Sequence, residues 1–290
     1  MDNPILLMFV TMTIFSLMLA MGVSHSFQQL TSLWRRPELL LRSLLAVIVL
    51  VPLVVGLSLW GFNLSPAVAT GLAVLAAAPG APLTYKRSQM AGGDPTYTAS
   101  LQLTLVLLAV VITPLILAIF RALFELPGLR LTPFEVARQV ARVTFLPVIT
   151  GLLIQRFAPR LTDVIINPLR MLANILFIVL FVVLIILLVL SPDFRMMLNL
   201  GGLSSVVIII MVGGSLAIGH LLGGPSREQR SVLAIASVAR NVGLALFIAE
   251  LSDYAQNFIP TLFAYMILGP LVAVPYSVWN KRRMTCAKNG

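Results

Sequence analysis

Arg240 stands between two uncharged stretches, 231–239 and 241–249, and with its neighbour Asn241 it is the residue best placed to do chemistry in this chain. A permanent cation at membrane depth costs about 2.5 kcal/mol or more, and it persists where it lines a cavity or the protein interior. A guanidinium there can attract an anion or donate to backbone carbonyls. The neighbouring amide can satisfy backbone groups or contact a ligand. Both roles, functional and structural, stay open for Arg240.

A second interruption, Pro79-Gly80-Ala81-Pro82, lies near the end of an uncharged run from Ser43 to Tyr85. Proline lacks a backbone donor and clashes with the preceding turn, so a helix cannot continue through these residues. Broken helices at corresponding places in two halves of a chain mark the binding site of many transporters. The two interruptions together therefore predict a site within the membrane.

The composition predicts an all-α polytopic membrane protein. The chain has 290 residues, of which 59% are hydrophobic and 10% are charged, against about 25% charged in soluble domains. The net charge of +10 fits basic loops beside a lipid bilayer better than a nucleic-acid partner. One cysteine, Cys286, and two histidines, His25 and His220, predict no metal site and no cofactor. The sequence also lacks HExxH and GxSxG, so we expect no enzyme.

The hydrophobic pattern predicts one transmembrane domain, residues 1–290, with about nine transmembrane helices. A bilayer crossing needs roughly 20 apolar residues. The spans lie near 4–24, 40–60, 66–91, 95–120, 137–157, 168–190, 203–222, 229–250 and 258–280.

The basic residues predict an outside N-terminus and a cytoplasmic C-terminus, in a bacterial inner membrane. Five fall on the outer side under this orientation: Arg121, Arg130, Arg138, Arg142 and Arg195. Fourteen fall on the cytoplasmic side, where Lys and Arg accumulate: Arg35, Arg36, Arg42, Lys86, Arg87, Arg156, Arg160, Arg170, Arg227, Arg230, Lys281, Arg282, Arg283 and Lys288.

The two breaks also predict inverted repeats, each with one broken helix. Pro79 is followed after 35 residues by Pro114, and Arg240 is followed after 30 residues by Pro270. The third span runs from outside to inside and the eighth runs the opposite way, which makes the repeats inverted.

Three stretches give the chain a resemblance to the bile acid:sodium symporter family. They are residues 17–37, the stretch from Ala78-Pro79-Gly80-Ala81 to Gly93-Asp94, and residues 235–245, which end in Arg240-Asn241-Val242-Gly243-Leu244-Ala245. The chain resembles the nine-helix form that lacks the first helix. This resemblance implies a panel subdomain near 4–24 and 137–190, and a core subdomain near 40–120 and 203–280. It also implies that the two broken helices cross, and it places the substrate in the cleft between the subdomains, beside this crossing.

The chain departs from the family at the sodium sites. The positions that resemble the family's glutamate and glutamine are Ala236 and Arg240 in this chain. Thr84-Tyr85 stand where the family has Ser-Asn. A glutamate with two sodium ions and an alanine with an arginine both carry a net charge of +1. We therefore expect Arg240 to substitute for the ions and sodium binding to be lost. The predicted substrate-binding residues are Pro79, Gly80, Ala81, Pro82, Thr84, Tyr85, Thr98, Gln102, Ser237, Arg240 and Asn241.

The leading hypothesis is a secondary transporter of a small organic anion that works by alternating access. The anion preference follows from Arg240 and from the amide ends of half-helices. One alternative is a sodium-independent exchanger or uniporter. Another is a non-transporting membrane sensor of the same fold, and the auxin-efflux-carrier type is an alternative family. The sequence determines neither the substrate nor the oligomeric state.

Overall fold

The structure is a computed structural model that describes residues 4–126, 129, 132–190, 201–250, 252 and 254–289. Every regular element in this part of the chain is a helix, which confirms the all-α prediction. Of the residues counted for orientation, Arg130 and Arg195 lie outside the described residues. We number the helices in chain order: α1 Pro4–Val23, α2 Phe27–Trp34, α3 Pro37–Gly61, α4 Pro66–Ala76, α5 Thr84–Met90, α6 Pro95–Leu123, α7 Pro133–Phe157, α8 Pro159–Leu190, α9 Gly201–Leu222, α10 Arg227–Val238, α11 Val242–Glu250 and α12 Ala255–Asn289.

Eight helical segments of the described chain are long and apolar enough to cross a membrane, which confirms a polytopic membrane protein. The eighth predicted span corresponds to α10 and α11 with the break between them. The third predicted span is divided at the predicted break, 79–82, into the short helices α4 and α5. The inverted repeat, the membrane orientation, the bacterial inner membrane and the panel and core subdomains stay predictions.

Several helix limits differ from the sequence prediction. α8 begins at Pro159 and continues through Pro168, so it starts nine residues earlier than predicted. α12 continues past residue 280 and includes the basic residues that follow. α2 was not predicted, and it begins with a capping box in which Ser26 and Gln29 satisfy each other's backbone N–H groups. The residues between the first two predicted spans therefore form a short helix that this capping box begins.

α3 contains a π-helical turn, Leu45–Leu50, that changes its hydrogen bonding at the centre of the fold. The N–H of Val51 donates to the Ala46 carbonyl. The next residue is Pro52, which has no N–H to donate. The Val47 carbonyl is therefore left without the backbone donor that a regular helix would supply.

α1 packs along α7 and α8, and α12 packs on α4 and α9. The contact between α1 and α7 is close because glycines face each other across it. A Cβ atom on Gly22 would lie 2.3 Å from the Val148 oxygen, and one on Gly151 would lie 2.5 Å from the Val23 nitrogen. Even one added methyl group would force these helices apart.

We expect Gly151→Ala to destabilise the protein by about 1–3 kcal/mol, since the added methyl overpacks a backbone contact. Gly213→Ala is the matched control, because Gly213 is also helical and a Cβ there meets nothing within 4 Å. Thermal unfolding of the two variants in the same detergent measures the difference. Equal midpoints for both variants would show that α1 and α7 do not pack this closely.

Candidate functional site

The first break connects α4 to α5 and lies against α6. Gly80 has a φ angle of +79°, and a Cβ atom on it would lie 2.8 Å from Cγ2 of Val106, so both conformation and space require glycine. Gln102 on α6 donates from Nε2 to the carbonyls of Ala81 at 2.9 Å and Pro82 at 3.0 Å. Its amide thus satisfies two carbonyls that the break removes from helical pairing.

The second break connects α10 to α11 and directly contacts the first. The backbone N–H of Asn241 donates to the Ala78 carbonyl at 2.8 Å. The side-chain Oδ1 of Asn241 accepts from the N–H of Leu244 at 3.0 Å, as an N-cap does. Tyr265 on α12 donates from its hydroxyl to the Val238 carbonyl at 2.5 Å. The two breaks therefore meet inside the fold, and the side chains of Asn241 and Tyr265 form hydrogen bonds with backbone groups at the second break.

Arg240 links this meeting point to α3. Its side chain is buried, with 3% of its surface exposed. Nη1 donates to the Ala76 carbonyl at 3.3 Å, and Nη2 donates to the Val47 carbonyl at 3.2 Å. Ala76 is the last residue of α4, and Val47 lies in the π-helical turn. Both acceptors lack a helical donor, so the guanidinium binds where carbonyl oxygens are free.

No carboxylate among the described side chains forms a salt bridge with Arg240. The negative end of the α4 helix dipole and the two carbonyls face its charge instead. The Nε of Arg240 and the Nδ2 of Asn241 are buried and have no protein partner among the described residues. Two N–H donors at the meeting of the breaks are thus available to a ligand or to water.

Ala236 and Ser237 occupy the last turns of α10. Ala236 is buried in an apolar cluster that includes Val47, Leu101 and Leu105. Ser237 is fully buried, and its hydroxyl is without a hydrogen-bond partner in the described part of the chain. The surroundings of Ala236 are apolar, so a carboxylate at this position would need a cation to compensate its burial.

Thr84 and Thr98 have hydroxyls that are already engaged. Thr84 donates to the Ala81 carbonyl at 2.6 Å. The Thr98 hydroxyl lies 2.6 Å from the Asp94 carbonyl and 2.9 Å from the Ser88 hydroxyl. The structure therefore places Thr84 in the break and Thr98 in a local pair with α5.

A cavity of about 80 Å³ adjoins both breaks. Ala81 and Pro82 line it from the first break, and Arg240 and Asn241 line it from the second. Its other walls come from α1, α8 and α12, including Met18, Phe181 and Tyr265. Four of the predicted site residues thus share one cavity, between the breaks and the α1–α8 pair.

A second cavity, of about 360 Å³, lies beside the first break and contains Tyr85 and Gln102. Arg170 and Lys86 also line it and provide two cations. Arg170 donates from Nε to the Ser24 hydroxyl at 2.8 Å. His25 packs edge-on against Tyr85 with the ring centroids 5.4 Å apart, and burial lowers the pKa of His25. This cavity therefore has a polar and positive lining.

Sequence reasoning missed Arg170 and Asn174 as cavity residues, because Arg170 was counted only as a basic residue on the cytoplasmic side. Both lie on α8 and line the second cavity. They are four residues apart, so they share one helical face. That spacing was the available signal.

Metal binding by side chains has no cluster to support it among the described residues, where no three His, Cys, Asp or Glu come together. Backbone oxygens are a different matter, since hard cations accept carbonyl ligands. At the breaks, the carbonyls of Val47 and Ala76 are the oxygens that accept from Arg240.

Comparison with known proteins gives one family and several distant relatives. The model of the sodium bile acid symporter family matches residues 11–192, more than half of the chain. This match includes the first break and ends before the second.

The relatives come from mammals and a bacterium. The P3 protein of Mus musculus is 26% identical over 263 residues, which are 88% of this chain and 55% of that protein. The P3 protein of Homo sapiens is 25% identical over 263 residues, which are 88% of this chain and 54% of that protein. The uncharacterized sodium-dependent transporter YocS of Bacillus subtilis is 23% identical over 291 residues, covering 97% of this chain and 87% of YocS. The chain spans about half the length of the P3 proteins.

Proposed function

Since this chain belongs to the sodium bile acid symporter family, we propose that it is a secondary transporter of a small organic anion in which Arg240 replaces the coupling sodium ions. The observation that carries the proposal is the placement of Arg240. Its buried guanidinium donates to the carbonyls of Val47 and Ala76, with no described carboxylate beside it. A sodium ion would need such oxygens as ligands.

The anionic class of the substrate rests on charge and on donors. Arg240 and Asn241 each have an N–H group without a partner among the described residues, and both residues line the cavity at the breaks. A carboxylate or sulfonate accepts such hydrogen bonds, and a charged acceptor makes them stronger. Lys86 and Arg170 in the second cavity extend the positive potential along the first break. An anion would therefore be attracted to the breaks from this side.

Alternating access is supported by the shape of the first cavity. Its volume of about 80 Å³ is far below the roughly 300–1,000 Å³ of a typical ligand pocket. The wall opposite the breaks is formed by α1 and α8, which pack on each other. We infer that these helices move as a pair against the breaks to admit and release the anion. A substrate could then pass without a continuous open channel.

Sodium-coupled transport is the alternative to this proposal, since the Bacillus relative is named a sodium-dependent transporter. Ala236 and Arg240 are the reason to depart from it for this chain. Coupling to protons is less suited to the breaks, because Arg240 stays charged at neutral pH. Exchange or uniport is therefore the form of transport we propose.

The test is counterflow exchange in proteoliposomes containing the purified protein, with a panel of small carboxylates and sulfonates. Replacing sodium with potassium at constant ionic strength should leave the exchange rate unchanged for any anion that is transported. Liposomes without protein are the control. A tenfold dependence on sodium, about 1.4 kcal/mol of coupling, would contradict the loss of the sodium sites. Saturable binding without exchange would instead favour the sensor.

A further inference from the structure

A large groove with a volume of about 960 Å³ lies on the exposed surface of the protein, between α5, α10 and α12. Its walls are apolar and include Met90, Val274 and Val278, whose side chains are 62%, 55% and 45% exposed. No acidic residue of the described part of the chain lines the groove. Four basic residues do: Lys86, Arg87, Lys281 and Arg282. We call this surface the basic groove.

The basic residues of the groove come from two helices that meet at one level. The carbonyl of Ala91, just after α5, accepts from the Ser231 hydroxyl at 2.9 Å and from Nδ2 of Asn280 at 3.3 Å. The end of α5, the first turns of α10 and the part of α12 around Asn280 are therefore joined at this point. Lys281 and Arg282 follow Asn280 directly, and no charged residue precedes them in α12. The cations thus lie where α12 leaves the apolar layer of the membrane.

We propose that the basic groove binds an anionic phospholipid. One acyl chain would lie along Met90, Val274 and Val278, and the phosphate group would lie among the four cations. Juxtamembrane basic residues attract anionic headgroups, and pockets between membrane helices with basic lining are known to hold them. The apolar walls and the positive end match the two parts of such a lipid, which is the argument for this occupant.

The lipid would lie beside the second break. Val238 and Ala239 belong both to the wall of the groove and to the chain just before Arg240. Val238 also accepts the hydrogen bond from Tyr265. An acyl chain in the groove would therefore support the helix end that presents Arg240. Arg87 also lines the first cavity and Lys86 also lines the second, so Lys281 and Arg282 are the two cations that belong to the groove alone. Lipid binding at the groove can be tested without knowledge of the transported anion.

The test measures lipid binding by native mass spectrometry of the purified full-length protein with phosphatidylglycerol. Lys281→Gln/Arg282→Gln is the informative variant, because these residues line neither cavity at the breaks. We expect it to bind phosphatidylglycerol about tenfold more weakly, since each basic residue contributes to headgroup attraction. The matched control is Arg156→Gln/Arg160→Gln, which removes the same charge from exposed positions outside the groove. This control should retain parental binding.

Two further arms separate the parts of the lipid. Val274→Trp keeps every charge but fills the apolar wall, so it should weaken phosphatidylglycerol binding as well. The soluble headgroup, glycerophosphoglycerol, should not compete at the concentrations at which the intact lipid binds. Equal binding of phosphatidylcholine and phosphatidylglycerol would overturn the proposal. So would equal losses in the two double variants, or full competition by the headgroup alone.

Discussion

Arg240→Gln should reduce anion exchange at least about tenfold, whereas Arg240→Lys should retain a larger part of it. Glutamine removes the charge, and its shorter amide cannot reach both carbonyls that Arg240 satisfies. A buried polar group that loses its partner costs about 1–3 kcal/mol, so Arg240→Gln should also unfold at a lower temperature. Lysine keeps the cation and can donate to the Val47 or Ala76 carbonyl, although it lacks the planar fork.

The control for this series is Arg138→Gln, which removes an arginine that is exposed on α7. Surface substitutions of this kind are usually within about 0.5 kcal/mol of neutral, so exchange and thermal stability should stay near the parental values. Equal damage from lysine and glutamine at position 240 would mean that the fork matters and the charge does not. Parental activity in Arg240→Gln would remove Arg240 from both roles.

The breaks could be predicted because they depend on local chemistry. Pro79 and Pro82 remove backbone donors whatever their surroundings, and a cation inside an apolar run has few acceptable positions. The same local logic correctly predicted an all-helical membrane protein. It also predicted that the third span is broken at Pro79–Pro82, and it left open only where α4 and α5 end, which depends on how the chain packs on α6.

The partners of Arg240 could not be predicted, because both arise from tertiary structure. The Val47 carbonyl is free only because a π-helical turn meets Pro52, and that turn is visible only in the folded chain. Close packing of glycines is equally non-local. Gly151 faces the backbone of α1, whereas a Cβ on Gly213 would meet no atom of the described residues within 4 Å, although both glycines lie in apolar helices. The roles of the predicted site residues stay predictions, which binding and transport measurements on variants must test.

Ala236→Glu/Arg240→Gln should gain a sodium dependence that the parent and the single variants lack. The double variant returns the two residue types that the resemblance assigns to the sodium sites. Removing Arg240 also frees the carbonyls of Val47 and Ala76, which are potential oxygen ligands. A glutamate at position 236 would lie in an apolar cluster, where its charge is costly without a cation.

Sodium should therefore stabilise the double variant by mass action, because the ion binds the folded state alone. At a concentration 100 times the dissociation constant, the gain is about 2.7 kcal/mol. Thermal unfolding across a sodium titration, with potassium keeping the ionic strength constant, measures it without knowledge of the substrate. Arg240→Gln should show no such gain, and Ala236→Glu should show none because Arg240 already supplies the cation.

The outcome separates an ion substitute from a structural brace. A rise in the unfolding midpoint with sodium, confined to the double variant, would show that the guanidinium occupies the place of a cation among these carbonyls. A folded double variant with no response to sodium would show that the oxygens around the breaks cannot form a site once Arg240 is gone. Arg240 would then serve to tie α3 and α4 to the second break, and its charge would act on the anion alone.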